Sequence, residues 1–465
     1  MNYISTRGGD EILSLAELLT RGTASNGGLF VPQQWPAVDT AAMDQLTSGE
    51  YAEIASRVLA LFGADSLPAG LVENATNTAM HRFAEPVGPP LTQLGDALWS
   101  LELIHGPTLA FKDFALAPLA EIIDQNLLHQ NRHATVLCAT SGDTGAATVS
   151  AFANRERLKA VVLFPAGGVS EFQRRQMTTT NAPNVLPISV EGDFDDCQRL
   201  VKALYQSPAA ETYGYTAVNS INIVRILLQS AYYFRSSGQL SSGPDDRINY
   251  VVPTGNFGNV YAAYIARQLG APINRLIVSS NENDVLPRLF DTGAMQSNQT
   301  VKTVSPSMDI QVSSNFERLL WHIKNGDGQA VKESQQDLEN SSRYTLSDTE
   351  MTTLHGNFSA IRCSQDEAFT SMRRIYDEHQ KIICPHTATA VYAVEKMDSL
   401  LSGKTVIVET AHPAKFSAAV EKAIGVKPSL PPVASDIMTA EEHFETSAAS
   451  EQIIQQVIDK RFNSH

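Results

Sequence analysis

Cysteine is scarce in this chain, and the few that occur do not form a recognisable set. The four are Cys138, Cys197, Cys363 and Cys384. None belongs to a Cys-x-x-Cys pair, and no His-Glu-x-x-His motif is present. Zinc sites and disulfide-rich scaffolds depend on such closely spaced ligands. We therefore expect reduced, buried thiols and no metal centre.

Long apolar runs and an excess of basic residues are also missing. No segment approaches the roughly 20 apolar residues of a membrane-spanning helix, and the amino-terminal stretch MNYISTRGGDEILSL is too polar for a signal peptide. Lysine and arginine number 35 against 50 aspartates and glutamates, which gives a net charge of −15. Nucleic-acid binding draws on clusters of lysine and arginine, so a nucleic-acid partner is disfavoured. We expect a soluble cytoplasmic protein in which any phosphate site is local.

The order of apolar and polar residues indicates a helical region followed by an α/β region. Apolar spacing predicts amphipathic helices over residues 13–19 and 54–61, and the proline-rich EPVGPP near residue 88 marks a boundary. Beyond it, short apolar runs alternate with helical patterns, which predicts a mainly parallel sheet. The predicted strands are residues 134–139, 160–164, 249–252, 273–279 and 405–409.

Two further segments are predicted to lack regular structure. Residues 293–303 and 325–348 are polar enough to be loops or insertions, and the chain is predicted to end in the helix EQIIQQVIDKRF. The 465 residues, of which 43% are apolar, suffice for two or three domains with a large core.

Two glycine-rich turns each follow a predicted strand and open a predicted helix. They are TSGDTG at residues 140–145 and TGNFGN at residues 254–259. Glycines let successive N–H groups point at an anion, and the helix N-terminus adds unpaired donors. Neither turn matches the G-x-G-x-x-G fingerprint or carries the lysine of a P-loop. A tight turn that binds nothing remains the plainer alternative for either turn alone.

Lys112 in HGPTLAFKDFALAPLAEII lies among apolar residues where a long helix is predicted to start. Desolvation and the positive helix end should both lower the pKa of Lys112. A lysine of low pKa is suited to form a Schiff base or to act as a nucleophile. The alternative is a lysine at a helix start whose ammonium reaches solvent, and local chemistry alone favours that commoner case.

Several motifs occur together in one order, and that combination is specific. They are YISTRGG, NGGLFVPQ, GPTLAFKDFA, TSGDTG, NSIN-x-x-R, PTGNFGN, SPSMDIQVSSNFERLL, CPHTA and ETAHPAKF. This order resembles threonine synthases of the bacterial and fungal type. The resemblance runs from Tyr3 to about Phe416, while residues 325–355 and those from 428 onward carry no such motif.

The resemblance implies a fold and a division into domains. The fold class is α/β, with a two-lobed core similar to tryptophan synthase β and other type II pyridoxal-phosphate enzymes. Its sheets are mainly parallel, and a mostly helical N-terminal domain precedes it. We expect an N-terminal domain over residues 1–92, a catalytic core over 93–427 and a C-terminal extension over 428–465.

The resemblance also implies a cofactor, pyridoxal 5'-phosphate, and residue roles. Lys112 corresponds to the lysine that forms the Schiff base, Asp143 lies near the cofactor ring, and Thr410 faces the pyridine nitrogen. The expected phosphate-holding residues are Gly255, Asn256, Phe257, Gly258 and Asn259. The expected substrate-binding residues are Ser141 and Thr144, in the turn that receives the carboxylate, and Asn219, Ser220 and Arg225, around the substrate phosphate.

The implied reaction converts O-phospho-L-homoserine and water to L-threonine and phosphate, with the freed Lys112 amine as general base. A phospho-lyase of the same family, which yields 2-oxobutyrate, would share Lys112 and both turns. A nucleotide-binding protein and a catalytically silent relative are further alternatives.

Blander roles are expected for six other residues. We predict that His386 and His412 are structural hydrogen-bonding groups, that Met308 and Phe316 serve packing, and that Arg174 and Arg175 are a solvated pair.

Overall fold

Within residues 1–243 and 245–462, which the computed structural model of the protein describes, strands and helices alternate over most of the chain. The strands are β1 Tyr3–Ser5, β2 Ile12–Leu13, β3 Phe30–Pro32, β4 Leu91–Gln93, β5 Leu98–Glu102, β6 Ala134–Ala139, β7 Leu158–Pro165, β8 Val185–Glu191, β9 Tyr215–Thr216, β10 Ile248–Pro253, β11 Ile273–Ser280, β12 Ala294–Gln296, β13 Arg343–Thr345, β14 Phe358–Arg362, β15 Thr405–Glu409 and β16 Glu445–Ala448.

The α-helices alternate with these strands along the chain, and α1 to α4 lie in the N-terminal region. They are α1 Leu15–Leu18, α2 Thr40–Thr47, α3 Tyr51–Leu61, α4 Leu71–Met80, α5 Asp113–His129, α6 Asp143–Phe152, α7 Glu171–Thr178, α8 Phe194–Gln206, α9 Ala209–Tyr213, α10 Ile223–Leu240, α11 Gly258–Gln268, α12 Val285–Thr292, α13 Phe316–Ile323, α14 Gly328–Ser341, α15 Asp348–Asn357, α16 Gln365–His379, α17 Pro385–Lys396, α18 Ser417–Ile424 and α19 Glu451–Phe462.

Two sheets form two lobes. One has the strand order β14-β11-β10-β15-β5-β4 and is parallel except for its edge strand β4. The other has the order β16-β8-β7-β6-β9 and is parallel throughout. Their central strands are almost wholly buried, as apolar runs covered on both faces should be. The predicted fold class, α/β with mainly parallel sheets, is confirmed.

The two lobes are interleaved along the chain. In chain order, strands β6 to β9 of the five-stranded sheet come between β5 and β10 of the six-stranded sheet. Strand β16, near the C-terminal end of the described residues, then joins the five-stranded sheet. The two glycine-rich turns follow β6 in one lobe and β10 in the other, because each turn leads from a strand into the next helix. Residues from both lobes can therefore meet at one site.

The N-terminal region contains α1 to α4 together with a small antiparallel sheet of order β2-β1-β3, which the apolar pattern did not predict. Two charged residues at the start of α13, Glu317 and Arg318, connect this sheet to the rest of the protein by hydrogen bonds. Glu317 accepts hydrogen bonds from Thr6 and Arg7. Arg318, which has no exposed surface, donates to the carbonyl of Phe30 at 2.8 Å. These contacts hold the N-terminal sheet against the start of α13.

The structure corrects three predictions of secondary structure. Residues 293–303 are not all loop, since they contain the short strand β12, which pairs with β13. Residues 13–19 do not form one helix: β2 ends at Leu13, and a capping box of Ser14 and Glu17 starts the four-residue α1. Residues 325–348 are not a loop, since they contain α14 and β13. The polar α14 escaped prediction because it buries only Val331 and Ser334.

The other elements follow the sequence closely. All five predicted strands are present, and the predicted terminal helix is α19. No helix of the described residues is long and apolar enough to cross a membrane. The domain boundaries at residues 92 and 427 stay predictions.

Candidate active site

Lys112 lies where the segment that leads into α5 is bonded to the residues that follow β15. The amide of Phe111 donates to the carbonyl of Thr410, and the amide of His412 donates to the carbonyl of Leu109, both at 2.9 Å. Leu109 has a φ of 63°, a left-handed conformation that is uncommon for a residue with a side chain. Lys112 is then the N-cap residue of α5, at the predicted helix start.

Burial and two nearby cations favour the neutral form of Lys112. Its Nζ lies 3.6 Å from Oδ2 of Asp143 and 4.5 Å from the centre of the Phe111 ring. Burial lowers the pKa of Lys112; the Asp143 carboxylate opposes this, and the cations Lys415 and Arg225 lower it further. A lower pKa increases the fraction of neutral amine, the form that attacks a carbonyl or accepts a proton.

The GNFGN turn presents unpaired backbone donors at the start of α11. Phe257 adopts a left-handed conformation with a φ of 64°, and α11 begins at Gly258. No acceptor among the described residues takes the N–H groups of residues 255–259. Unpaired donors at a helix N-terminus make an anion site, and a strained residue is typical of functional turns.

The block SPSMDIQVSSNFERLL holds the carbonyls of this turn. The hydroxyl of Ser313 donates to the carbonyl of Gly255 at 2.7 Å. The amide and side chain of Asn315 donate to the carbonyl of Asn256 at 3.1 and 2.9 Å. Because these carbonyls already accept hydrogen bonds from Ser313 and Asn315, the N–H groups of the turn are the groups that remain for a ligand. The sequence motif contained these residues, but their role was not predicted.

Asn259 adds a side-chain donor to the turn. The hydroxyls of Tyr232 and Tyr233 donate to its Oδ1 at 2.6 and 2.8 Å. The buried Nδ2 of Asn259 has no hydrogen-bond partner in the described part of the chain. A buried donor without a partner costs about 1–3 kcal/mol, so an external acceptor such as a phosphate oxygen would stabilise the site.

A valine at Gly255 should weaken cofactor retention. A Cβ there would lie 2.9 Å from the carbonyl oxygen of Ser307 and 3.3 Å from Cα of Met308, both backbone atoms. The turn would have to move, and the loss of one hydrogen bond to a charged group, about 1.5–3 kcal/mol, corresponds to at least tenfold weaker binding. Fluorescence titration of the cofactor-free protein with pyridoxal phosphate measures this.

The matched control is Gly356→Val, since a Cβ at Gly356 meets nothing within 4 Å. Equal cofactor affinity of the Gly255 and Gly356 variants would contradict the proposed placement of the phosphate.

Thr410 directly follows β15 and is 6% exposed. Its carbonyl accepts from Phe111, but its hydroxyl has no partner among the described residues. A neutral hydroxyl is therefore available beside the segment that carries Lys112.

The TSGDTG turn is a second group of unpaired donors, at the start of α6. The hydroxyl of Thr140 accepts from two glycine amides of the turn at 3.0 and 2.8 Å and fixes its shape. Within the described chain, the N–H groups of Ser141, Asp143 and Thr144 have no acceptor. Ser141 is exposed and Thr144 is half-buried, so their hydroxyls are accessible. This arrangement suits a carboxylate.

Asp143 is nearly buried and is surrounded by donors. Its Oδ1 lies 2.9 Å from Nε2 of Gln173 and 3.0 Å from Nζ of Lys415. The hydroxyl of Ser307 donates to its Oδ2 at 3.3 Å. Burial alone would raise the pKa of Asp143, but Lys415 and Lys112 hold that pKa well below its usual range. The roles of Gln173, Ser307 and Lys415 were not predicted from the sequence.

Arg225 lies near Lys112 and is buried, whereas Asn219 and Ser220, in the loop before α10, are more exposed to solvent. Arg225 is 2% exposed and its Nη1 donates to the carbonyl of Val218 at 2.8 Å, but its Nε has no partner in the described residues. Burial lowers the pKa of Arg225 to about 10, so it stays charged at neutral pH. Asn219 is exposed and Ser220 is half-buried.

Four of the residues with expected structural roles have them. The ring nitrogens of His386 and His412 accept from the amides of Ser307 and Ala414, each at 3.2 Å. The side chains of Met308 and Phe316 are buried.

The prediction that Arg174 and Arg175 are a solvated pair is wrong. Arg174 binds Glu442 at 2.6 Å, and Arg175 donates to the carbonyls of Ile437 and Ala440 at 3.5 and 3.3 Å. Both arginines hold the C-terminal segment, which had no motif to indicate the contact.

Family models match three parts of the chain. They are described as "Threonine synthase N terminus" over residues 2–80, "Pyridoxal-phosphate dependent enzyme" over 86–351 and "Threonine synthase, C-terminal" over 387–458. A threonine synthase from Pseudomonas aeruginosa is 38% identical over 95% of this chain and 94% of its own length. The chain belongs to the threonine synthase family.

Solved structures of the threonine synthase family match over the full length. The pyridoxal-phosphate-bound threonine synthase from Brucella melitensis has a TM-score of 0.95 and 38% identity, and covers 99% of each chain. The yeast threonine synthase has a TM-score of 0.94 and 32% identity over 100% of this chain and 99% of its own. The predicted family and cofactor are confirmed: the chain is a pyridoxal-phosphate-dependent enzyme.

Proposed function

We propose that the chain is a threonine synthase that converts O-phospho-L-homoserine and water to L-threonine and phosphate. One observation carries this proposal: a lysine of lowered pKa, Lys112, lies near a buried arginine and near two separate groups of N–H donors that could each bind an anion. A cofactor phosphate, a substrate carboxylate and a substrate phosphate need three such places. The family relationship supports the same reaction.

The residues present fit pyridoxal phosphate. Lys112 would hold it through a covalent bond to Nζ, the GNFGN turn and Nδ2 of Asn259 would bind its phosphate, and the hydroxyl of Thr410 would meet its ring nitrogen. The bound cofactor withdraws electrons from the substrate amino acid and so makes its Cα and Cβ protons removable. A hydroxyl, unlike a carboxylate, would not hold a proton on that ring nitrogen.

Lys112 is the proposed proton carrier of the reaction. Its neutral amine takes the Cα proton, and further proton transfer from Cβ allows the γ-phosphate to leave. Water then adds at Cβ, and reprotonation completes threonine. Burial lowers the pKa of His386 to about 4, so this neighbour stays neutral and does not add a competing positive charge near Lys112.

Substrate recognition is proposed at two places. Ser141 and Thr144, with the free amides of their turn, would bind the carboxylate at the N-terminus of α6. Arg225 would bind the substrate phosphate with a charge-assisted hydrogen bond, and Asn219 and Ser220 would add neutral donors.

Product analysis tests the function directly. With O-phospho-L-homoserine as substrate, we expect one threonine, by amino-acid analysis, for each phosphate released. Homoserine without the phosphate is the control and should give neither product. If 2-oxobutyrate, detected with lactate dehydrogenase and NADH, instead accumulates in step with phosphate, the chain is a phospho-lyase.

A further inference from the structure

Lys415 is a buried lysine that the proposed reaction does not use. It lies in the short 3-10 helix Pro413–Phe416, and its side chain has no exposed surface. Its Nζ donates to the carbonyl of Thr108 and to Oε1 of Gln176, both at 2.7 Å, and lies 3.0 Å from Oδ1 of Asp143. Three acceptors match the three N–H bonds of an ammonium group.

Asp143 is shared unequally between two lysines. Its Oδ1 is 3.0 Å from Nζ of Lys415, whereas its Oδ2 is 3.6 Å from Nζ of Lys112. Charge-assisted hydrogen bonds between nitrogen and oxygen measure about 2.7–2.9 Å. Lys415 is therefore the nearer ion-pair partner, and Lys112 faces a carboxylate whose charge is already balanced.

This division of charge matters because an unbalanced carboxylate beside Lys112 would stabilise its ammonium form. An opposite charge within about 4–6 Å commonly raises the pKa of a lysine by about one to three pH units. An ammonium group cannot attack the carbonyl of the cofactor or accept a proton. The other charged or titratable groups that face Lys112 are Arg225, which is a cation, and His386.

We propose that Lys415 is a positioning residue: it is the permanent counter-ion of Asp143 and thereby leaves Lys112 as a free amine. Gln173 and Gln176 of α7 complete the arrangement, the first on Asp143 and the second on Lys415. This inference rests on the proposed role of Lys112 but not on the identity of the product.

The test measures the pKa of Lys112 itself in the cofactor-free full chain. Trace acetylation with acetic anhydride at a series of pH values, followed by peptide mass spectrometry, gives the pH at which Lys112 becomes reactive. For the unmodified protein we expect a midpoint below the ordinary lysine value of about 10.4. A midpoint at or above that value would overturn the proposal, even if no variant folds.

Three variants separate the proposed role from a structural one. Lys415→Met removes the ammonium group but keeps most of the length of the side chain. It should raise the Lys112 midpoint by about one to three pH units, because Asp143 loses its nearer cation. Asp143→Asn should lower the midpoint, since Lys415 then repels a second cation. The double variant removes both charges and should return the midpoint near that of the unmodified protein.

Lys404→Met is the matched control, because Lys404 also forms a lysine–aspartate pair, with Asp246 at 2.7 Å, away from Lys112. It should leave the Lys112 midpoint unchanged. A purely structural Lys415 would give no shift in the folded single variant or no recovery in the double variant, and either result would overturn the proposal. Threonine formation is assayed separately, so failure of the proposed reaction would be recognised independently of these midpoints.

Discussion

Replacement of Lys112 by alanine is expected to lower threonine formation by at least about 10²–10⁴-fold, the usual contribution of a positioned acid–base group. The loss should be larger still, because the covalent attachment of the cofactor is removed as well. The variant should still bind pyridoxal phosphate through the GNFGN turn, whose unpaired N–H groups it retains. Initial rates at saturating cofactor measure the effect.

Covalent labelling gives a second measure of the same substitution. Borohydride reduction of the unmodified protein should fix the cofactor on the peptide that contains Lys112, and the alanine variant should carry no label. Lys332→Ala is the control, since Lys332 is exposed on α14 and should affect neither rate nor labelling. A label on another lysine in the unmodified protein would refute the assignment of Lys112.

Replacement of Arg225 by alanine is expected to reduce kcat/KM for O-phospho-L-homoserine by roughly tenfold to a hundredfold. The range follows from the loss of a charge-assisted hydrogen bond, about 1.5–3 kcal/mol. Arg225→Lys should restore only part of the loss, because an ammonium cannot reproduce the planar guanidinium. Cofactor affinity and the visible spectrum should stay near normal, because the GNFGN turn is untouched.

Arg235→Ala is a closely matched control for Arg225. Arg235 lies on the same helix and donates from Nη1 to the carbonyl of Pro89 at 3.0 Å. Its buried Nε also has no hydrogen-bond partner among the residues that the structure describes. It should tolerate the change with kcat/KM intact. If the Arg225 variant instead loses its cofactor or keeps full activity, Arg225 does not bind the substrate phosphate.

The elements that the sequence predicted best are those with strong local signals. The buried strands β6 and β15 have the predicted bounds because each is a short apolar run between polar turns. The helix start at Lys112 was predicted because apolar spacing begins there. In contrast, α14 was missed, since a helix that buries two residues has almost the composition of a loop.

Within the site, the sequence predicted the residues that belong to recognisable motifs and missed those defined by packing. Lys415 was present in ETAHPAKF, but only the folded chain brings its ammonium to Asp143, which is far away in sequence. Gln173 and Gln176 have no motif at all, and their spacing indicates only one face of a helix. Side-chain contacts between distant segments leave no periodic signal for sequence reasoning to detect.

The bonds from Glu317 to Thr6 and Arg7 have a consequence during protein synthesis. Thr6 and Glu317 are separated by 311 residues, which a ribosome adds in about 15–60 s at about 5–20 residues per second. Until then the small N-terminal sheet has neither its carboxylate partner nor the buried Arg318 that binds Phe30. The nascent N-terminal region therefore stays accessible to chaperones and proteases until α13 is translated, and α13 is encoded about two-thirds of the way along the coding sequence.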